Sequence, residues 1–339
     1  MQETSKLKAW LNDPKAKDSR KQVKLRVQKT GGKWLFAIFR AVFLICMAYV
    51  ILYPILILMS RAFRPAEDMF NPNIIWLPIT YTLENFRIVM NRMEFWDAMW
   101  STLRIVTISS LLMVASCAVT GYGLARYRLR MQKIYMLLVV LSVIVPFMVI
   151  LVPYMDVMRN VNFLGLGNTL GYLYSGVPRG LTLFDSEWVY YVPAMLGVGL
   201  RSGLFILLYY QFFRSMPKEL ESAARIDGCG EMTTFLRVML PNAGAPMLVT
   251  AILSFVWYWS DFYLGQFMFS GNMAMMSNRL SIIRQTIYTT NPMGERATAE
   301  GGSVLAFAAA LLFIIPPLLL YIVAQRFFMR SVERSGIVG

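Results

Sequence analysis

Six windows of nearly unbroken apolar residues divide this chain, at about 34–60, 99–122, 134–158, 192–213, 247–269 and 303–328. Each is longer than the ~20 residues a helix needs to cross a hydrocarbon layer. None shows the strict apolar-polar alternation of a barrel strand, and backbone N–H and C=O groups cannot go unpaired in lipid. The pattern therefore predicts an all-α membrane protein of six transmembrane helices. No period of 20 to 50 residues recurs, so one membrane domain at 34–339 behind a leading segment at 1–33 is the simplest partition.

Composition agrees with that picture. Of 339 residues, 57% are hydrophobic and 15% charged, which is more apolar surface than one water-soluble core usually hides. The net charge of +14 would point to nucleic acid in a soluble protein, but here its distribution matters more. Segments 1–33, 126–133, 214–241 and 326–339 hold 21 Lys and Arg, whereas the alternate segments 61–98, 159–190 and 261–302 hold nine. The positive-inside rule puts the first set in the cytoplasm, and with it both termini, as six spans require. No nucleic-acid partner is expected. The basic segment 1–33 is too long and polar to resemble a cleavable signal peptide; it reads as a disordered or surface-lying tail drawn to anionic lipid.

Candidate chemistry is sparse. Cys46, Cys117 and Cys229 offer neither a disulfide framework nor metal-ligand spacing, so no metal site is expected. The chain has no histidine, which removes the HExxH zinc motif and Ser-His-Asp catalysis. It also lacks a GxxxxGK[ST] phosphate loop. No catalytic residue and no bound cofactor are assigned.

The stretch LESAARIDGCGEMTTFLRVMLP, residues 220–241, breaks the apolar pattern. Ser215 can cap a helix whose first turn carries Pro217, Glu219 and Glu221, and Gly228 and Gly230 end it. A second helix is predicted from about Glu231 to Leu240, with Met232, Phe235, Leu236 and Met239 on one face until Pro241 stops it. Helices this short are marginal alone in water and need a surface to cover them. That surface is either the protein's own bundle or a separate cytoplasmic subunit.

Within this stretch, AARIDGCG followed by LP thirteen residues after Asp227 resembles the EAA loop of membrane subunits of ABC importers. In that register Ala223 and Ala224 take the alanine positions, Gly228 the glycine, and Leu240 and Pro241 the terminal pair. The glutamate position falls on Ser222, with Glu221 one residue early. Elsewhere RPAEDMF, YTLENFRIV, WSTLRI, GYGLARYRL, FVWYWSDF and IIPPLLLYIVAQRFFMRSV resemble the carbohydrate branch, in particular the second permease of maltose-type (type I) importers. The stretch GLTLFDSEWVYY is longer than that resemblance leads one to expect.

The resemblance implies a type I ABC importer transmembrane domain in a bacterial cytoplasmic membrane, with a coupling loop at 214–246. It also implies a second homologous permease, two ATP-binding subunits or a homodimer of them, and an extracytoplasmic solute-binding protein. ATP and Mg would sit on the partner ATPases. The residues implied to couple are Glu221, Ser222, Ala223, Ala224, Asp227, Gly228, Leu240 and Pro241.

Ionisable groups inside a membrane are costly and mark candidate sites. Arg201 lies about nine residues into the fourth window, within GLRSG, where Gly199 and Gly203 permit close helix approach. In the fifth window Ser254, Trp257, Tyr258, Asp261 and Gly265 share one helical face. That face either lines a sugar path, with hydroxyl-seeking and ring-stacking groups together, or packs the bundle while Asp261 neutralises Arg201. Asp156 is a second possible partner for Arg201. Pro146, Pro153, Pro316 and Pro317 are expected to kink their spans.

Three functions fit this reading. The first is a sugar or oligosaccharide importer subunit, the second an importer subunit for a peptide, amino acid or other small polar solute, and the third a membrane scaffold that moves no solute.

Overall fold

A computed structural model describes residues 14–68, 78–161, 173, 182–269, 275–286 and 299–336. By its internal contacts the chain divides into residues 1–60 and 61–339. The described residues of the first unit belong to helix α1 (Pro14–Ala62), which runs past residue 33 without a break and ends two residues beyond the unit's boundary. Its apolar side chains from Phe36 to Met59 are mostly exposed, as suits a helix that is hydrophobic all round.

Among its described residues the second unit is built of helices joined by short connections, with no strand. Its elements are α2 (Glu84–Arg92), α3 (Phe95–Arg126), α4 (Gln132–Ile144), α5 (Phe147–Arg159), α6 (Trp188–Met195) and α7 (Ser202–Ser215). They are followed by α8 (Glu219–Ile226), α9 (Glu231–Asn242), α10 (Gly244–Trp259), α11 (Tyr263–Met268), α12 (Met276–Thr286) and α13 (Ala299–Gly336). The 32-residue α3 is the axle, with α6, α7 and α10 packed around it. Its Ile105, Val106, Met113, Cys117 and Ala118 are fully buried. Because lipid tails are as apolar as these side chains, close packing rather than water exclusion holds such helices together. Gly203 shows the requirement, since a Cβ there would strike Ser142, Val139 and Val143 of α4.

Among the described residues, three helical stretches are long and apolar enough to cross a membrane unaided: Phe36–Ala62, Phe95–Arg126 and Val304–Arg326. The third predicted span is instead a pair, α4 and α5, bent by 109°. Pro146 causes this, because it forces Val145 into an extended conformation (ψ 118°) and cannot donate to the ladder. Pro153, Pro316 and Pro317 lie within continuous helices. The fifth span is interrupted after Trp259, with Asp261 and Phe262 between α10 and α11.

The fourth predicted span is also broken. Helix α6 ends where Gly197 turns left-handed (φ 72°), with Gly197 N–H donating to Ala194 O at 3.3 Å and Val198 N–H to Pro193 O at 2.9 Å. This is a Schellman stop. Arg201 follows, also left-handed (φ 57°), a conformation that a side chain bearing a Cβ adopts only under constraint. Inside a membrane the freed carbonyls need donors, and the Ser116 hydroxyl of α3 donates to Ala194 O at 2.6 Å.

Candidate functional site

The elbow between α7 and α10 is built differently from the sequence expectation in three respects. Ser215 does not cap a helix: it is the last residue of α7, its hydroxyl donates to Phe212 O, and α8 begins at Glu219 without a side-chain cap. Pro241 does not stop α9, which runs on to Asn242 through a π-helical turn at Phe235–Met239 and then bends 78° into α10. The face proposed for α9 divides, with Phe235 and Met239 buried and Met232 and Leu236 exposed at 67% and 51%. A wider π turn places Phe235 and Met239 on the bundle side and leaves the other two outward.

The corner itself forms as glycine chemistry dictates. Gly228 has φ 80°; its N–H donates to Arg225 O at 3.0 Å, and Cys229 N–H donates to Ala224 O at 2.9 Å. This is a second Schellman stop, and Asp227 is the C-cap residue before it.

Three groups at the end of α3 hold the elbow. Glu221 lies 3.2 Å from Arg126 Nε and accepts a hydrogen bond from the Tyr122 hydroxyl at 3.1 Å. The side chains of Arg126 and Glu221 are only 6% and 12% exposed. Arg126 also donates to Met216 O at 2.8 Å, tying the start of the elbow to the same point. Glu231 accepts from the Tyr127 hydroxyl at 2.7 Å and pairs with Arg225 at 3.0 Å. The Tyr127 hydrogen bond, with help from Arg225, holds the Glu231 carboxyl below the usual range. Burial and the Glu231 carboxylate push the Tyr127 phenol up. Phe235 inserts into the same joint, 4.8 Å from the Tyr122 ring and 6.3 Å from Phe213.

Of the residues implied to couple, Ser222, Ala223, Asp227, Gly228 and Pro241 are exposed, and Leu240 is half-buried. Ala224 is buried, and Glu221 faces the protein's own α3 rather than solvent. Tyr122, Arg126, Tyr127 and Glu231 were missed by sequence reasoning. The GYGLARY run contained three of them, but their direction toward the elbow is set by tertiary packing.

Deeper in the bundle, Arg201 and Asp261 do not pair. Asp261 accepts from the Tyr190 hydroxyl at 2.9 Å, and its own carbonyl accepts from Ser277 at 2.6 Å. Arg201 instead stacks its guanidinium over Trp257 at 4.6 Å, and Phe205 packs on the same indole at 5.2 Å. Asp156 is exposed and makes no ion pair among the described residues. The predicted polar face thus separates: Ser254, Tyr258, Asp261 and Gly265 are buried, while Trp257 stays partly accessible beside Arg201. Tyr190 comes from the long GLTLFDSEWVYY stretch, as does Glu187, which pairs with Arg104 of α3. No group of metal-ligating side chains occurs among the described residues.

An all-helical bundle of broken spans, with a glycine-cornered elbow braced on its central helix, defines a multi-pass membrane protein of the permease class. Residues 117–334 match the binding-protein-dependent transport system inner membrane component family, and the chain belongs to it. It is 27% identical over 303 residues to the arabinooligosaccharides transport system permease protein AraQ of Halalkalibacterium halodurans, covering 86% of this chain and 93% of that one. It is 26% identical over 290 residues to the diacetylchitobiose uptake system permease protein DasC of Streptomyces coelicolor, covering 85% and 92%. The fold is similar to a chain of a bacterial ABC transporter involved in import of the acidic polysaccharide alginate. That match has TM-score 0.64 and 17% identity, and covers 88% of this chain and 98% of that one.

Proposed function

We propose that this protein is a permease subunit of an ABC importer for a sugar or oligosaccharide in a bacterial cytoplasmic membrane. Family membership and the carbohydrate named for AraQ and DasC support the substrate class. In this reading the polypeptide crosses the membrane six times with both termini in the cytoplasm, residues 34–339 forming the transport domain. It pairs with a second permease, receives solute from an extracytoplasmic binding protein, and leaves ATP and Mg to two partner ATPase domains.

The observation that carries this reading is the elbow. Its outer edge presents Ile226, Met232 and Leu236 at 86%, 67% and 51% exposure, on helices too short to be stable uncovered. Its inner edge is fixed to α3. A surface of this kind, apolar outside and braced inside, fits a cleft on a cytoplasmic ATPase and passes that subunit's motion to the bundle. ATP and loaded binding protein shift the bundle only as far as each prefers the outward-open state.

The test is site-specific crosslinking from Ala223, which is exposed, in membranes containing the whole importer, followed by ATP-dependent oligosaccharide uptake in proteoliposomes. Capture of a nucleotide-binding protein together with uptake is expected. Crosslinks to lipid or to this polypeptide alone, or proteoliposomes that take up no sugar, overturn the reading.

A further inference from the structure

Arg201 is exposed, lies over the partly accessible ring of Trp257 and pairs with no carboxylate among the described residues. Its neighbours fix its depth. Helix α7 spans 14 residues from Ser202 to the elbow end, which at 1.5 Å per residue is about 21 Å. Trp257 stands thirteen residues into α10, also about 20 Å from the elbow. Counted from either helix, the pair sits roughly two-thirds of the way across a ~30 Å hydrocarbon layer.

The placement is also rigid. Arg201 occupies a left-handed backbone position between a Schellman stop and the first turn of α7, and Ser202 beside it is buried. Trp257 is held from below by the fully buried Phe205. The guanidinium carbon stands 4.6 Å from the centre of the indole, and a guanidinium held over an aromatic ring keeps N–H groups free for an acceptor. An exposed charge at this depth is too costly to face lipid, so it faces water or protein.

We infer that Arg201, held against Trp257, forms a subsite in the transport path for a carboxylate-bearing sugar, with the guanidinium binding the carboxylate. This inference rests on the sugar-importer reading above and narrows it to acidic saccharides. A planar fork matches a planar carboxylate through two parallel hydrogen bonds. A single positive charge neutralises a single carboxylate, whereas a dianionic phosphate ester would leave net charge stranded in a low-dielectric path. A neutral sugar offers the guanidinium only uncharged acceptors, and charge-assisted hydrogen bonds are roughly twice as strong. Asp261 is engaged by Tyr190 and Glu187 by Arg104, and Asp156 pairs with no cation among the described residues, so none of the three is bonded to Arg201.

The whole importer, with its own partner permease, ATPases and binding protein, is reconstituted in liposomes. ATP-dependent uptake is measured for uronate di- and trisaccharides and for the same saccharides as neutral methyl esters. Wild type should prefer the free acids. Arg201→Gln should lower acid uptake about 10- to 100-fold, the worth of a charged hydrogen-bonded pair, and leave ester uptake within about threefold. Arg201→Lys should fall between, keeping charge without the fork. Equal uptake of acids and esters by wild type overturns the carboxylate assignment and leaves the sugar reading standing, whereas no uptake of any saccharide overturns both. If Arg201→Gln prevents the two permeases from copurifying, the arginine's partner is a carboxylate of the second permease and the subsite is rejected.

Discussion

Glu221 turns back into its own protein, to within 3.2 Å of Arg126 at the end of the central helix. Because α3 carries α6, α7 and α10, any force on the elbow reaches the bundle through this pair as well as through the chain itself. An acidic residue at this position could instead have reached outward to a partner. Here it serves as an internal strut, and Ser222 and Ala223 are left as the outward positions.

Removing one member of a nearly buried pair leaves the other charge without compensation, at a cost on the order of 3 kcal/mol. Arg126→Ala and Glu221→Ala should each lower thermal stability in detergent and raise the ATP hydrolysed per sugar imported. The double variant should be no worse than either single one. Additive losses in that cycle would mean the two residues act separately.

Gly228 and Gly230 look alike in sequence but differ in backbone. Neither is crowded, since a Cβ on either would meet nothing within 4 Å, yet only Gly228 has a positive φ. Gly228→Val should therefore open the corner, at a cost of about 1–3 kcal/mol, and abolish uptake while the protein stays in the membrane. Gly230→Ala, at φ −70°, should transport nearly as wild type. Equal behaviour of the two variants would remove the argument from conformation.

The contrast also shows how much was legible beforehand. The elbow announced itself through charge, glycine and proline within an apolar chain, and the long spans through their length. The broken fourth span did not, because Gly197 and Arg201 interrupt it without lowering its hydrophobicity much, and a stop made of backbone hydrogen bonds leaves little trace in composition. The pairing of Asp261 was equally hidden. Charge arithmetic favoured Arg201, while the actual partner is a tyrosine 71 residues earlier that only packing brings near.

The second brace, Tyr127 to Glu231, gives a pH signature. With its pKa lowered, Glu231 contributes stability above the ordinary carboxylate value of about 4.3 and loses it as pH falls through the lowered value. With its pKa raised, Tyr127 contributes below about 10 and loses it as pH rises through the raised value. Hydrogen exchange of residues 219–242 should thus be evenly protected from about pH 5 to 9, after correction for intrinsic rates, and weaken at both extremes. In Tyr127→Phe the alkaline limb should disappear. Protection that changes steadily between pH 6 and 8 would contradict this assignment.

Asp261 tests whether the buried polar centre is structural. Its carboxylate accepts from the buried Tyr190 hydroxyl, so Asp261→Ala leaves that donor unpaired in a buried place. An orphaned group of this kind costs about 1–3 kcal/mol, and water has little access to replace it. Asp261→Asn keeps an acceptor of the same shape and should retain most stability and most uptake. Tyr190→Phe strands the carboxylate instead, so it should be destabilising alone but add little to Asp261→Ala. Thermal unfolding in detergent and sugar uptake, measured on all four variants, separate the alternatives. A structural centre lowers both together and is rescued by asparagine. If Asp261→Asn folds as wild type yet transports nothing, the carboxylate meets the solute, and the path reaches beyond Trp257 into the bundle.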